Sequence, residues 1–175
     1  KEYEVYIYYH NNAASNLNSS GKGIANGVKV SSAYPTNVKQ GENAMISGII
    51  SSTDADPATV WDEAYLTTDY DDIVMRYKQG TATIHNDGSV NGSVLSDNLF
   101  TEDGTYIGIN VLDGRIPGCA EYSGYITYSL VAENPDTSLE KQISYDGENW
   151  NKNIEVKPGD YVTYKVEFKN TGNTD

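Results

Sequence analysis

Few residues in this chain carry chemistry, and they are scattered. The histidines are His10 and His85, the cysteine is Cys119, and none falls in a GxSxG, HExxH or Cys-His pattern. Both histidines therefore read as structural or solvent-facing. Paired acids are plentiful, as at Asp62-Glu63 and Asp71-Asp72, but neighbouring residues on a strand point to opposite faces and cannot flank one bond. A glycosidase could still draw two acids from distant strands. Otherwise the pattern is that of a protein without a catalytic site.

Metal chemistry has one better candidate. Asp69, Asp71 and Asp72 offer the oxygen-only ligands that calcium favours. Three carboxylates within four residues repel one another unless a cation or water screens them. Asp54, Asp56 and Asp62 make a weaker set, and solvated turn acids are the plain alternative for both. Calcium is thus the one cofactor left open. Cys119 has no partner for an internal disulfide and reads as a small buried apolar residue, a free thiol or an intermolecular link. Fifteen tyrosines and two tryptophans have three uses: filling a sandwich core, covering a subunit interface, or stacking on sugar rings.

Strands must position these side chains. From Tyr122 the chain alternates, with Tyr125, Thr127, Ser129 and Val131 on one face and Ile126, Tyr128, Leu130 and Ala132 on the other. The second face is wholly apolar or aromatic, so this strand belongs in the middle of a sheet. It stops at AENPD, where Pro135 lacks a ladder N–H. That places a domain boundary between residues 1–134 and 135–175. The first strand, KEYEVYIYYH, carries Tyr6, Tyr8 and His10 on one face and Tyr3, Val5, Ile7 and Tyr9 on the other. With aromatic or branched residues on both faces, it is an inner strand or one covered by a partner.

Further strands are expected around Val28–Val30, through NAMISGIISS with a kink or bulge at Gly48, over Val60–Leu66, at Ile73–Tyr77 and Thr81–His85, and in VLSDNLF and TYIGINVL. The polar run NNAASNLNSSGKG has no means of burying itself and reads as a mobile loop. Asp-Gly turns at Gly88, Gly104, Gly114 and Gly147 recur between short strands. No window shows helical periodicity with caps. The fold class is all-β, an antiparallel β-sandwich.

Net charge is -13 and the sequence pI is about 4.4, which disfavours nucleic acid and anionic membrane surfaces as partners. No membrane-length apolar run or signal peptide is present. The chain opens directly on a strand, as a processed secreted protein would. A surface rich in Tyr, Asn and Thr and poor in Lys points to an extracellular location.

Residues 137–175 carry Leu139, Lys141 and Ile143 in alternation, then an apolar face at Val162, Tyr164, Val166 and Phe168. About three strands cannot bury a sandwich core, so this unit is expected to be incomplete by itself. The run KPGDYVTYKVEFKNTGNTD resembles the first half of an immunoglobulin-like repeat found in tandem on bacterial and archaeal surface proteins. The likeness rests on Pro158, Gly159, Asp160, Tyr164, Asn170, Thr171 and Gly172. Residues 60–66, 95–100 and 113–128 are similar to a region that precedes such repeats in secreted proteins. The resemblance implies an immunoglobulin-like or jelly-roll-like sandwich plus a partial second module, in a surface-exposed and mostly non-enzymatic setting. A lysine–asparagine crosslink of the kind surface sandwiches form would join Lys141 to Asn170.

The expected function is that of a building block of a cell-surface stalk, sheath or filament, assembled by β-strand addition between subunits. The expected interface is Tyr3, Val5, Tyr6, Ile7, Tyr8 and Tyr9 with Tyr164, Val166 and Phe168. The partner is another copy, in an oligomer or polymer joined through terminal strands, with the first strand as donor or as the element covered. A glycan-binding or calcium-dependent adhesin is the competing reading.

Overall fold

The computed structural model describes residues 1–69, 71–134 and 136–172. The strands are β1 (Glu2–Tyr9), β2 (Lys29–Ala33), β3 (Asn37–Val38), β4 (Ala44–Ser51), β5 (Thr59–Leu66), β6 (Ile73–Tyr77), β7 (Thr83–Asn86), β8 (Thr105–Tyr106), β9 (Gly124–Glu133), β10 (Thr137–Ser144) and β11 (Thr163–Asn170). Helical structure among the described residues is confined to three 3-10 turns. The fold is all-β and antiparallel. It divides into two compact units, Lys1–Ala132 and Glu133–Asp175. Pro135, the strand breaker expected from sequence, lies outside the described residues, and β9 ends at Glu133.

Unit one is a sandwich. One sheet runs β1-β9-β6-β3, with β7 also paired to β9, and the other runs β5-β4-β2-β8. The alternation of β9 puts Ile126, Tyr128 and Leu130 at 0% exposure in the middle of the core. Each such burial stabilises the fold by about 1.5–3 kcal/mol relative to an exposed side chain. The sheets are joined through a polar contact. Ser32 Oγ donates to the Ser47 carbonyl at 2.6 Å and lies 2.8 Å from the Tyr128 hydroxyl, which is left to donate to it. Burial pushes the Tyr128 phenol up to about 12 despite the Ser32 bond.

Several sequence expectations change. Gly48 sits in an unbroken register on both sides, Ser32 opposite on β2 and Asp62 opposite on β5, so β4 has no bulge. VLSDNLF forms a 3-10 turn at Asp97–Phe100 rather than a strand, because the Ser96 side chain caps it from Asn98 N–H while Leu99 plugs the core. TYIGINVL pairs only at Thr105–Tyr106. Gly88 does not supply a positive φ; a Cβ there would fall 2.0 Å from the Ile109 carbonyl oxygen, so glycine permits close approach instead. The polar run 11–23 is anchored. Asn18 Nδ2 donates to the Gly118 carbonyl and its Oδ1 accepts from Gly118 N–H, both at 2.9 Å. Asn11 Nδ2 donates to the carbonyls of Gly23 and Ile116 at 2.8 Å.

Unit two is a two-stranded sheet, β10 against β11, with Leu139 opposite Phe168, Lys141 opposite Val166 and Ile143 opposite Tyr164. Asp146-Gly147 forms a tight turn that returns Asn151 to Ile143, with which it exchanges two backbone bonds of 2.8 and 3.0 Å. Asp160 closes the Pro158-Gly159 turn, its Oδ2 accepting from Lys157 N–H at 2.6 Å. Every buried apolar side chain among the described residues belongs to unit one; Ser144 is the buried residue of unit two.

Candidate functional site

β1 is the outer strand of its sheet. β9 pairs it along its whole length, from Glu2 opposite Val131 to Tyr9 opposite Gly124, so it is not a loose arm. Lys1 and Ala132 exchange two backbone bonds of 3.0 and 2.7 Å. By alternation, the odd residues of β1 aim their N–H and C=O at β9, and Glu2, Glu4, Tyr6 and Tyr8 aim theirs at the open edge. That edge is eight residues long with no proline or inward charge to block it. Natural edge strands usually carry such a block.

β5 extends past that edge on the opposite sheet. Ile7 of β1 lies over Gly48 of β4, and among the described residues no strand of the first sheet continues beyond β1 to cover β5. Val60, Asp62 and Ala64 share the inward face with Ile50, Gly48 and Ile46. Ile46 is buried at 7%, whereas Val60 is 47% exposed and Asp62 and Ala64 are exposed as well. The result is a groove of about 390 Å³ between the two open edges. At the C-terminal end of β1 it meets a wider hollow of about 740 Å³ that His10 helps to line; its Nε2 is buried without a hydrogen-bond partner.

The expected interface residues divide accordingly. Tyr3, Val5 and Ile7 point inward and are half-buried, while Tyr6 and Tyr8 point outward and are exposed. Tyr9 lies in the core at 3% exposure, its hydroxyl accepting from Asn86 Nδ2 at 2.9 Å, so it is not offered to a partner. On β11, Tyr164, Val166 and Phe168 share one face with Leu139 and Ile143 of β10. Phe168 is 67% exposed and Leu139 70%. Lys141 shares that face, with its ammonium 4.5 Å from the centre of the Tyr164 ring. It stands opposite Val166 and points along the sheet away from Asn170, so the expected Lys141–Asn170 crosslink has no geometry here.

The outer face of the first sheet carries an aromatic ladder. Tyr6 stacks on Tyr125 and Tyr125 on His85, each with ring centres 4.7 Å apart and interplanar angles of 27° and 16°. Rings stacked face to face use their faces on one another and present edges to water. That geometry stiffens the sheet and is poorly suited to sugar stacking, which needs exposed ring faces. The His85 Nε2 is within hydrogen-bonding distance of the Thr83 and Thr127 hydroxyls at 2.9 and 3.2 Å.

No three acidic, histidine or cysteine side chains among the described residues converge to hold a metal. In the Asp69–Asp72 loop, the Asp72 Oδ1 accepts from Gln40 N–H at 3.0 Å and the Asp69 carbonyl accepts from Gln40 Nε2. Tyr70 lies outside the described residues. Cys119 is a half-buried free thiol at φ +109°. Sequence reasoning missed the uncovered inward face of β5, because alternation within one strand says nothing about whether a second layer reaches it. No helix among the described residues is long and apolar enough to cross a membrane.

No family model, curated protein or solved structure matches the chain.

Proposed function

We propose that this chain is a non-catalytic, extracellular structural subunit that assembles by β-strand addition between copies. The observation that carries this reading is the uncovered apolar face of the β10–β11 hairpin, where Leu139, Val166 and Phe168 are 62–70% exposed. A lone two-stranded sheet is marginal in water and gains stability when a further strand or layer covers its apolar side. The open edge of β1 supplies a matching deficit in unit one. A composition rich in Tyr, Asn and Thr, a net charge of -13, and the resemblance of residues 157–175 to a surface-protein repeat support a place in a cell-surface stalk, sheath or filament. The stacked geometry of the aromatic ladder lends the glycan-binding alternative no support.

Light scattering of the full chain over a range of concentrations tests the reading. The mass is expected to rise with concentration, and Val166→Lys with Phe168→Glu is expected to hold the chain as a monomer. Both side chains are exposed, so the substitutions spare the fold of each unit. A wild-type chain that stays monomeric at every concentration overturns the proposal.

A further inference from the structure

We infer that β11 of one copy adds to the open edge of β1 of a second copy, parallel to it, with Glu4 beside Lys165. This rests on the assembly reading above and names the two edges that meet.

The choice of edge follows from hydrogen bonding. Ile143 uses its N–H and C=O on Asn151, so the outer edge of β10 is partly closed. The Asp136 carbonyl accepts from Thr171 N–H at 2.8 Å, which fixes the alternation of the β10–β11 ladder. The amides of Tyr164, Val166 and Phe168 therefore point away from β10, into an open edge.

Direction follows from the same alternation. In an antiparallel pair, directly opposed residues both turn their amides toward each other or both away; in a parallel pair, one turns toward the neighbour and the other away. The outward-bonding residues of β1 are those with Glu4, Tyr6 and Tyr8 side chains on the solvent face, and those of β11 carry the apolar side chains. Antiparallel addition would put Val166 and Phe168 beside Tyr6 and Tyr8 in water. Parallel addition turns them inward beside Val5 and Ile7, over the bare face of β5 at Val60 and Ala64.

Charge then selects the register. Glu4 beside Lys165 matches acid with base and Tyr8 beside Lys169 matches ring with cation. Tyr6 falls beside Glu167, whose carboxylate Lys165 and Lys169 flank at 3.5 and 3.1 Å. A shift of two residues toward the C-terminus of β11 would set Glu4 against Glu167. β1 and β5 carry Glu2, Glu4, Asp62 and Glu63 and no base, so pairing these edges with each other is repelled. Lys141 is on the inward face of the docked hairpin and brings a cation to the side where Asp62 is uncovered. Among the described residues the acceptor edge belongs to unit one and the donor edge to unit two, so the contact joins unlike surfaces of two copies and is heterologous.

Disulfide trapping tests the register. In full-length protein with Cys119→Ser, Tyr8→Cys and Lys169→Cys are oxidised at a concentration where the wild-type chain associates. The expected result is a ladder of covalent dimers, trimers and longer species, while a Tyr8→Cys/Glu140→Cys control yields none. Light scattering of the reduced variants checks that they still associate, and Tyr6→Cys/Glu167→Cys is the second pair. Association without a ladder in either pair overturns the inference and leaves the assembly reading standing. A disulfide formed only within one chain, or association lost in both pairs while the wild type associates, overturns it too. Absence of wild-type association overturns both.

Discussion

The side chain of Ile7 rests directly on the backbone of Gly48: a Cβ at position 48 would fall 3.1–3.3 Å from three of its carbon atoms. This contact seats the outer strand of one sheet on the other and fixes how far β5 extends past it. A branched side chain at 48 would force β1 outward. We expect Gly48→Val to destabilise the fold by about 1–3 kcal/mol, as overpacking commonly does. Adding Ile7→Ala should recover part of that loss. Urea denaturation of the two single variants and the double variant measures the coupling; simple additivity would refute the contact's role.

Tyr128 joins the sheets through Ser32, and burial raises its phenol to about 12. Its neutral form is the one the fold holds, so the stabilisation is complete below pH 10, the ordinary tyrosine value. It is lost as pH rises from there through 12. Two units of difference correspond to about 3 kcal/mol. We expect stability to fall steeply in that window and Tyr128→Phe to blunt the fall, at the cost of leaving Ser32 without its donor. Thermal melts from pH 9 to 12, within reversible limits, give the comparison.

The fold is legible where its causes are local. β6 runs over Ile73–Tyr77 as its alternation suggests, and the inward face of β9 is the one that reads as apolar. What escapes is non-local. Asn18 looks like part of a soluble loop because its partner, Gly118, is a hundred residues away. Tyr9 shares the inward face of β1 with Tyr3, Val5 and Ile7, but its full burial depends on Asn86, whose side chain takes up its hydroxyl from a distant strand. The exposed hairpin face is legible as an apolar alternation at Tyr164, Val166 and Phe168, whereas the groove that could receive it depends on the offset between sheets.

The reciprocal amide pair at Asn18 predicts that the 11–23 segment is protected. Replacing Asn18 by Ala leaves the Gly118 N–H and carbonyl without their partner, a loss of about 1–3 kcal/mol if water does not replace it. Asn18→Asp keeps the acceptor for the Gly118 N–H but sets a carboxylate oxygen against the Gly118 carbonyl oxygen where Nδ2 donated at 2.9 Å, so it is not expected to recover the loss. Hydrogen exchange at Gly118 reads this directly. Fast exchange there in the wild type would show that the anchor is not made in solution.

Asp146 controls which hairpin edge is open. Its Oδ1 accepts from Asn149 N–H at 2.8 Å, Glu148 N–H at 2.9 Å and Ser144 Oγ at 2.8 Å, and its Oδ2 accepts from Asn149 Nδ2 at 2.6 Å. These bonds, the Asn149 amide foremost, hold the carboxyl well below its ordinary value of 3.8. Its contribution to the turn is therefore present above about pH 4 and is lost only as pH falls through the lowered value. The turn matters because it delivers Asn151 to Ile143 and so closes part of the β10 edge. Asp146→Ala should release Asn151, expose a second edge on the same hairpin, and convert ordered head-to-tail association into branched aggregates at neutral pH. Small-angle scattering distinguishes a linear series from a branched one. If the variant assembles like the wild type, Asn151 does not gate the β10 edge.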